Sequence, residues 1–427
     1  MTELPISTDE ARNYLKEGGV GVAEMILRQV LAKDPTNATA FRMLGNIARV
    51  AGESYWAAEY MRRAGEPVNE SEAAIPAFSG DKYLLIKAWG NGFCSDLDSV
   101  LGHLLLAEMT GRIPVVHWGR NSLFGIDPEK DAFRLYFEPP SSVTIDDLIG
   151  KGYDFFPPKW GDANLRKENV NKIAGDWSRL PPLVYFNRSE RVAVADVYAG
   201  IVSLVPWIRP GHAMIGKSVA EAYRYLIDKY LRPLPDIQSE IDLFAAANFR
   251  DRPVIAAHVR GSDKYREDPQ LAQKNAVYPQ VISQFSAGQW FPRVFLLTDS
   301  TIVRDDFQAR YGPGLIMTDS VRTATAQGVH LQGLADRRRL GVDVVKDIYL
   351  AARCDQFVGL GSSNVTCMVY HMKNWAPEAR VIIGPVMTQM LNPYLYMSHN
   401  QLERFLPPEL MGRLRERERA EREGMKA

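Results

Sequence analysis

The chain has 427 residues, in which 51 lysines and arginines are balanced by 51 aspartates and glutamates. This length allows two or three domains, because one hydrophobic core rarely extends beyond about 250 to 300 residues. The balanced charge argues against binding nucleic acid or an anionic membrane by general attraction. No apolar stretch approaches the roughly 20 residues of a membrane span, and MTELPISTDEARNYL lacks the regions of a signal peptide. We therefore predict a soluble, cytoplasmic protein.

Residues 1–72 have the pattern of a tetratricopeptide-like helical segment. In ATAFRMLGNIARVAGESYWAAEYMRRAGE the packing positions of such a repeat are occupied by Phe41, Leu44, Gly45, Ala48, Gly52, Ala57, Met61 and Ala64. One unit earlier, Ala23, Leu27 and Val30 match a second helix, and Pro35 ends that unit. An unrelated amphipathic helical hairpin is the alternative. Because two units cannot bury their own apolar faces, the segment is predicted to contact the next domain or a second subunit, as in a homodimer.

From Lys82 onwards, short apolar runs alternate with helical segments. KYLLIKAW (82–89) and RIPVVHW (112–118) are predicted strands, and DLDSVLGHLLLAEMTG between them has helical periodicity ending in a glycine. A second series of predicted strands is VIAAHV (254–259), RVFLLT (293–298), LIM (315–317), QFVGL (356–360) and RVII (380–383). DVVKDIYLAARC and NVTCMVYHMKNW are predicted helices. The alternation predicts an α/β protein with two Rossmann-like domains facing a cleft, residues 80–248 and 249–400.

Polar residues follow three predicted strands of the second series. HVRGSDKYRED follows the first, Thr298 and Asp299 follow the second, and GSSN (361–364) follows a later strand and opens a helix. Because ligands in open parallel sheets bind at the carboxyl ends of the strands, these clusters are predicted to meet at one site.

The residue types in these clusters suit a phosphate group. Arg260 can bind a phosphate through two N–H groups at once, and Lys264 adds a second positive charge. A glycine and hydroxyl residues at a helix start offer backbone N–H groups to a diphosphate. Two plainer interpretations stay open: Arg260 could pair with Asp263 on a surface loop, and Ser362 or Ser363 could simply cap the helix.

These motifs resemble the donor-binding half of the α-1,6-fucosyltransferases of the rhizobial nodulation and animal core branches. The resemblance includes YPQVISQF after the first motif and GVDVVKDIYLAARCDQFVGLGSSNVTCMVYHM later in the chain. WGNGFCSDLDSVLGHLLLAEMTGRIPVVHW is similar to that family's glycine-containing first loop and helix. The resemblance covers roughly residues 82–390. It implies a two-lobed GT-B glycosyltransferase that inverts the anomeric centre without a metal. Its donor would be GDP-fucose or a related GDP-sugar, and its acceptor a glycan or protein hydroxyl.

The resemblance also implies roles for individual residues. By motif position, His258 and Asp347 contact the nucleoside, Arg260 contacts the β-phosphate, and Ser362 and Ser363 contact the diphosphate. The rest of the predicted donor-binding set is Asp263, Lys264, Thr298, Asp299, Asn91 and Gly92.

One position departs from the family pattern. The α-1,6 enzymes have two adjacent arginines in this motif, whereas here Arg260 is followed by Gly261. Lys264, or an arginine of the irregular segment 322–341, could supply the missing charge; a segment of this length is either functional or disordered. The departure keeps two alternatives open, an inactive sugar-nucleotide-binding or scaffold protein and a GT-B enzyme for a different sugar nucleotide.

A carboxylate must accept the proton of the acceptor hydroxyl if the reaction uses a base, and Glu267 and Asp268 end the first motif. By motif position the base proposed for the animal core enzyme falls on Asp268, and Pro269 biases Asp268 towards an extended conformation. We predict Asp268 as the base and Glu267 as the alternative; both could also be ordinary loop carboxylates.

Asp96 and Asp98 in SDLDS match the DxD pattern by which other glycosyltransferases hold Mn²⁺ or Mg²⁺. Their place at a predicted helix start favours capping by Ser95 and Asp96 instead. His117, His212, His330 and His371, and the cysteines Cys94, Cys354 and Cys367, show no metal-ligand spacing. We predict no metal site. The segment 401–427, dense in both charge signs, is predicted to be a solvated helix.

Overall fold

The computed structural model of the chain describes residues 7–18, 20–50, 54–69, 81–169, 182–185, 188–205, 208, 211–250, 253–287, 292–325, 328–329 and 336–390. The predicted helix at 401–427 lies outside the described residues. Four helices come first: α1 (Thr8–Lys16), α2 (Val20–Lys33), α3 (Ala38–Val50) and α4 (Ser54–Arg63).

The four N-terminal helices pack as two successive hairpins, α1 on α2 and α3 on α4. Gly45 allows the close approach of α3 and α4, since a Cβ atom there would lie 2.9 Å from Cε of Met61. The helices' buried side chains belong to one continuous apolar cluster with those of the following α/β part. The structure has the predicted helical pairs, while the assignment to tetratricopeptide repeats and the choice between the next domain and a second subunit as packing partner stay predictions.

The first α/β unit is a parallel four-stranded sheet in the order β2-β1-β4-β3. Its elements are β1 (Tyr83–Lys87), α5 (Phe93–Thr110), β2 (Ile113–His117), β3 (Phe155–Phe156), β4 (Val192–Ala195), α6 (Ile201–Leu204) and α7 (Val219–Tyr230). Gly111 ends α5 with a φ of 62°, a left-handed conformation that glycine adopts without strain. Both strands and the helix predicted for this part are therefore confirmed.

The second α/β unit is a parallel five-stranded sheet in the order β7-β6-β5-β8-β9. The elements from here on are α8 (Pro235–Asn248), β5 (Val254–His258), α9 (Lys264–Glu267), α10 (Leu271–Asn275), α11 (Tyr278–Phe285), β6 (Arg293–Leu297), α12 (Thr301–Tyr311), β7 (Leu315–Ile316), α13 (Arg337–Arg353), β8 (Gln356–Leu360), α14 (Asn364–Met372) and β9 (Arg380–Ile383). All five strands predicted here are confirmed.

Both faces of the second sheet are buried, and alternate side chains of its central strand, β5, pack on opposite faces. Ile255 and Ala257 pack in a cluster with residues of α11 and α12, whereas Val254 and Ala256 join the main core. A strand covered on both faces reads as a continuous apolar run, which is the pattern VIAA shows. The predicted α/β class with two parallel, Rossmann-like sheets is confirmed.

The segment between β7 and α13 is shorter than predicted. Residues 322–341 were expected to be irregular, but α13 already begins at Arg337. Asp336 sets this start, because its side chain accepts a hydrogen bond of 2.9 Å from the backbone N–H of Arg339. Residues 326–327 and 330–335 lie outside the described residues.

The two units meet through helices. α5 packs against α14, and the rings of Tyr223 on α7 and His371 on α14 stack with centroids 3.8 Å apart. α8 packs on α13, where Lys346 lies 2.8 Å from Glu240. The domain limits 80–248 and 249–400 stay a prediction. Within the described ranges, no helix has both the length and the apolar character needed to cross a membrane.

Candidate functional site

The three polar clusters of the second unit lie at one edge of its sheet. β5 is central, flanked by β6 and β8, so the residues that follow these strands are neighbours. The backbone N–H of Gly261 donates to Oδ1 of Asp299 at 3.1 Å, which joins the first cluster to the second. Nδ1 of His258 lies 2.6 Å from Oγ1 of Thr366 in α14, which joins the first to the third. The structure thus brings together residues that are about 40 and 100 positions apart in sequence.

Arg260 lies between two carboxylates. Its Nη2 donates to Oδ1 of Asp263 at 2.7 Å, and its Nη1 is 3.2 Å from Oδ2 of Asp299. The predicted pair with Asp263 therefore exists. The side chain of Arg260 is only 20% exposed, however, and it also pairs with Asp299, which follows β6. Nε of Arg260 is buried and has no partner among the described residues. The guanidinium is thus fixed in orientation, and its Nε–H is a donor that the described residues do not use.

The loop after Arg260 is too tight for a side chain at the next position. A Cβ atom on Gly261 would overlap with Cβ of Ser300. Ser262 has a φ of 38°, which is strained for a residue other than glycine. Its hydroxyl oxygen lies 2.7 Å from Oδ2 of Asp299 and 2.9 Å from Oδ1 of Asp263, and its one proton can be donated to either carboxylate, which holds the strained turn in place. Close packing thus explains why glycine stands where the resembled family has a second arginine.

Thr298 and Asp299 shape the turn after β6. Oγ1 of Thr298 accepts a hydrogen bond of 3.2 Å from the N–H of Ser300, and the Ser300 hydroxyl caps α12 by accepting from the N–H of Val303 at 3.3 Å. Asp299 bonds Gly261, Ser262 and Arg260 as described above. Both residues lie at the site, and their predicted contacts with a donor stay predictions.

The start of α14 has unused hydrogen-bonding groups. Ser363 occupies the cap position but its side chain makes no capping hydrogen bond, and Oγ of Ser362 is buried without a partner among the described residues. Plain helix capping therefore does not explain these serines. Because the first N–H groups of a helix have no partner within the helix, this end can bind an anion.

His258 and Asp347, the predicted nucleoside contacts, are held by hydroxyl groups. Burial lowers the pKa of His258 to about 3, so its ring, bonded to Thr366, is neutral. Oδ1 of Asp347 accepts from Oγ1 of Thr318 at 2.7 Å, and Oδ2 lies 3.4 Å from Oγ of Ser320. Burial raises the pKa of Asp347 to about 7, against the hydrogen bond from Thr318 and the charge of Arg322. A ligand that donates hydrogen bonds to Asp347 would favour its ionised form.

Sequence reasoning missed the part that Thr318 and Ser320 play. They follow β7 in LIMTDS, which repeats the ending of FLLTDS after β6, and this repetition was the available signal. The N–H of Thr323 donates to the carbonyl of Asp299 at 2.9 Å, so the two strand-end loops adjoin. Arg322 donates to the carbonyl groups of Thr318 and Ser320 at 3.1 and 2.8 Å, a position from which it stabilises this loop.

The end of the first motif carries two ion pairs. Nζ of Lys264 lies 2.7 Å from Oε2 of Glu267, and Nζ of Lys274 lies 2.6 Å from Oδ2 of Asp268. The hydrogen bond from Lys274 lowers the pKa of Asp268. Asp268 has φ −131° and ψ 94°, the extended conformation predicted from Pro269. Asp268 is therefore ionised and oriented, but its affinity for a proton is reduced, whereas the side chain of Glu267 is 61% exposed.

The first loop of the first unit leads from β1 into α5, which packs against α14. Gly92 precedes α5, and a Cβ atom there would meet nothing within 4 Å, so the loop beside it is open; Asn91 is exposed. Burial raises the pKa of the Cys94 thiol, and the nearby charge of Arg260 opposes that rise. Through α5, the first unit thus contacts the helix that follows the third strand-end cluster.

The predicted capping by Ser95 and Asp96 is wrong. α5 begins at Phe93 after Gly92, and Asp96, inside the helix, reaches back to the loop, where its Oδ1 accepts from the N–H groups of Gly90 and Asn91 at 2.9 and 3.2 Å. Asp98 is buried and accepts hydrogen bonds from the hydroxyls of Tyr198 and Tyr223. Among the described residues, which do not include His330, no three His, Cys, Asp or Glu side chains are placed to hold a metal ion together.

Comparison with known proteins gives one sequence relative and several partial structural matches. The chain is 24% identical to Nodulation protein Z of Bradyrhizobium diazoefficiens over 304 residues, 66% of this chain and 77% of that protein. This confirms the resemblance inferred from the motifs. No family model matches the chain.

The structural matches include fucosyltransferases. NodZ from Bradyrhizobium has a TM-score of 0.47 and 20% identity, covering 67% of this chain and 92% of that one. FUT1 of Arabidopsis thaliana, in complex with GDP, has a TM-score of 0.46 and 14% identity over 79% of each chain. POFUT1 in complex with GDP-fucose has a TM-score of 0.42 and 15% identity, covering 72% of this chain and 99% of that one.

Proposed function

We propose that the chain is an inverting glycosyltransferase that moves fucose from GDP-fucose to a hydroxyl group of a glycan or protein without a metal ion. The observation that carries this proposal is Arg260, clamped by Asp263 and Asp299 beside a helix start whose Ser362 hydroxyl has no partner among the described residues. The order of the motifs and the sequence similarity to Nodulation protein Z support GDP-fucose as the donor.

The proposed mechanism follows from where charge develops. The acceptor oxygen forms a bond to the anomeric carbon while the bond from that carbon to the β-phosphate oxygen breaks, and the leaving diphosphate gains negative charge. Arg260 and the N–H groups at the start of α14 stabilise that charge, because they are oriented before the reaction begins. The acceptor proton passes to a carboxylate of the first motif. Gly261 gives the inactive-protein alternative no support, since packing against Ser300 accounts for the missing arginine.

GDP is expected to raise the melting temperature of the protein, and UDP is not. A ligand at about 100 times its Kd stabilises the folded state by about 2.7 kcal/mol, an effect that a thermal-shift measurement detects. Binding and turnover of GDP-fucose should persist in EDTA. A rise in melting temperature with UDP and not with GDP would contradict the proposal that the donor is a GDP-sugar. Activity that is lost in EDTA and restored by Mn²⁺ would contradict the metal-free mechanism.

Asp268→Asn is expected to lower kcat by about 10²-fold or more, as for loss of a general base, with little change in GDP affinity. Asparagine keeps the shape of the side chain and can still accept the hydrogen bond that Gln270 donates to Asp268 at 3.1 Å. Glu267→Gln, one position away, is the matched control and should have a smaller effect. If neither variant lowers turnover by more than about threefold, the base lies elsewhere or the proton leaves too late in the reaction to need one.

A further inference from the structure

The chain returns to the HVRGSDKYRED motif through residues 274–278, here called the brace segment. Nζ of Lys274 bonds Oδ2 of Asp268 at 2.6 Å, and the Tyr278 hydroxyl donates to the carbonyl of His258 at 2.6 Å. Between them, Nδ2 of Asn275 donates to the carbonyl of Arg260 at 2.8 Å. The brace segment therefore bonds both ends of the motif, His258 and Asp268, and Arg260 between them.

Tyr278 anchors the brace segment to the sheet. Its side chain is fully buried, with 0% of its surface exposed. Burial raises the pKa of its hydroxyl, and that hydroxyl lies at the end of β5, where it donates to the carbonyl of His258. A fixed anchor at this point leaves Asn275 little freedom to move relative to Arg260.

Asn275 is costly to the fold in one respect. Its Oδ1 is buried and has no hydrogen-bond partner among the described residues, and an unsatisfied buried acceptor reduces stability. The amide is thus used only through its donor nitrogen, which binds the carbonyl of Arg260. Asn275 makes one hydrogen bond but leaves one buried acceptor unsatisfied, which suggests a function other than stabilising the fold.

Arg260 needs such support because its neighbourhood is strained. Asp263 and Asp299 fix its guanidinium, but Ser262, two positions on, has a φ of 38°. A strained turn persists only where the surrounding contacts over-determine it. Asn275 supplies the contact at the backbone of Arg260, so that both ends of this residue are held and Nε points in one direction.

We infer that Asn275 is a positioning residue that fixes Arg260 for contact with the terminal phosphate of a nucleoside diphosphate, an inference that rests on the proposed function. Asn275 acts through the backbone of Arg260 and does not itself touch the ligand. Removal of its donor should therefore affect the β-phosphate contact and leave the contacts of the nucleoside and α-phosphate in place.

The test is Asn275→Leu in the full chain, titrated with GDP and with GMP, which lacks the β-phosphate. We expect about tenfold weaker GDP binding, unchanged GMP binding and a kcat lower by about 10- to 100-fold, as for a small misplacement of a catalytic group. The melting temperature should stay near that of the wild type, because leucine removes one unsatisfied acceptor, Oδ1 of Asn275, and leaves another, the carbonyl of Arg260, in exchange. Gln273→Ala, at an exposed position two residues earlier, is the control and should match the wild type.

Asn275→Asp replaces the donor nitrogen with an oxygen at almost the same shape, and it serves as the second variant if the leucine protein does not fold. Equal affinities of the variant and the wild type for GDP would overturn the inference. So would an equal loss of GDP and GMP binding, which indicates general damage to the site. If the wild-type protein binds neither nucleotide, it is the proposed function that fails, and the two failures are thus distinguished.

Discussion

Arg260→Lys is expected to lower kcat by about 10²- to 10³-fold, the usual effect of losing one preorganised donor at a site of developing charge. Lysine keeps the positive charge but replaces a planar group with several donors by a single ammonium. It cannot bond Asp263 and Asp299 in the present geometry and offer a further N–H to the diphosphate at the same time. GDP affinity should fall as well, measured by calorimetry beside steady-state kinetics.

Arg266→Lys provides a matched control for this prediction. Arg266 belongs to the same motif and carries the same charge, but it is exposed to solvent. The control variant should therefore behave like the wild type in both measurements. Full activity of Arg260→Lys would instead mean that Arg260 forms only a surface pair with Asp263 and that the diphosphate binds elsewhere.

Much of this site could be predicted because its signals are local in sequence. Apolar runs such as VIAA and QFVGL end in polar residues, and the parallel arrangement of neighbouring strands then puts those residues at one edge. Gly111 predicted the end of α5, and Pro269 predicted an extended conformation for Asp268, because each residue restricts the local backbone. The structure has the predicted conformations at both places.

The parts that could not be predicted depend on contacts between distant residues. Asp96 was expected to cap α5, but in the fold its carboxylate accepts from N–H groups of the preceding loop, and the helix begins earlier at Phe93. The bond from Asn275 to Arg260 spans 15 residues and leaves no periodic pattern. The reason for a glycine at position 261 is its contact with Ser300, which follows a different strand.

Gly261→Ala is expected to weaken GDP binding by about 100-fold and to lower the melting temperature. The new Cβ atom would overlap with Cβ of Ser300, and such overpacking typically costs about 1 to 3 kcal/mol. If Ser300 moves, its capping bond to the N–H of Val303 is lost; if the motif moves, the bond from Gly261 to Asp299 breaks. In the second case Arg260 turns away from its two carboxylates, and misplacement of this kind can lower catalysis by about 10²-fold.

Gly261→Arg sharpens this prediction, since it installs the second arginine of the resembled α-1,6 enzymes. A second guanidinium would strengthen diphosphate binding if charge alone were missing. Because arginine has the same Cβ atom as alanine, we expect loss of GDP binding instead. The double variant with Gly261→Ala and Ser300→Gly should recover GDP affinity, because glycine removes the overlapping atoms and costs the α12 cap only a few tenths of a kcal/mol. Ser300→Gly alone is the control and should bind GDP nearly as well as the wild type. An active Gly261→Arg variant would show that the loop adapts to a side chain at this position, and close packing would then not be the reason for the single arginine.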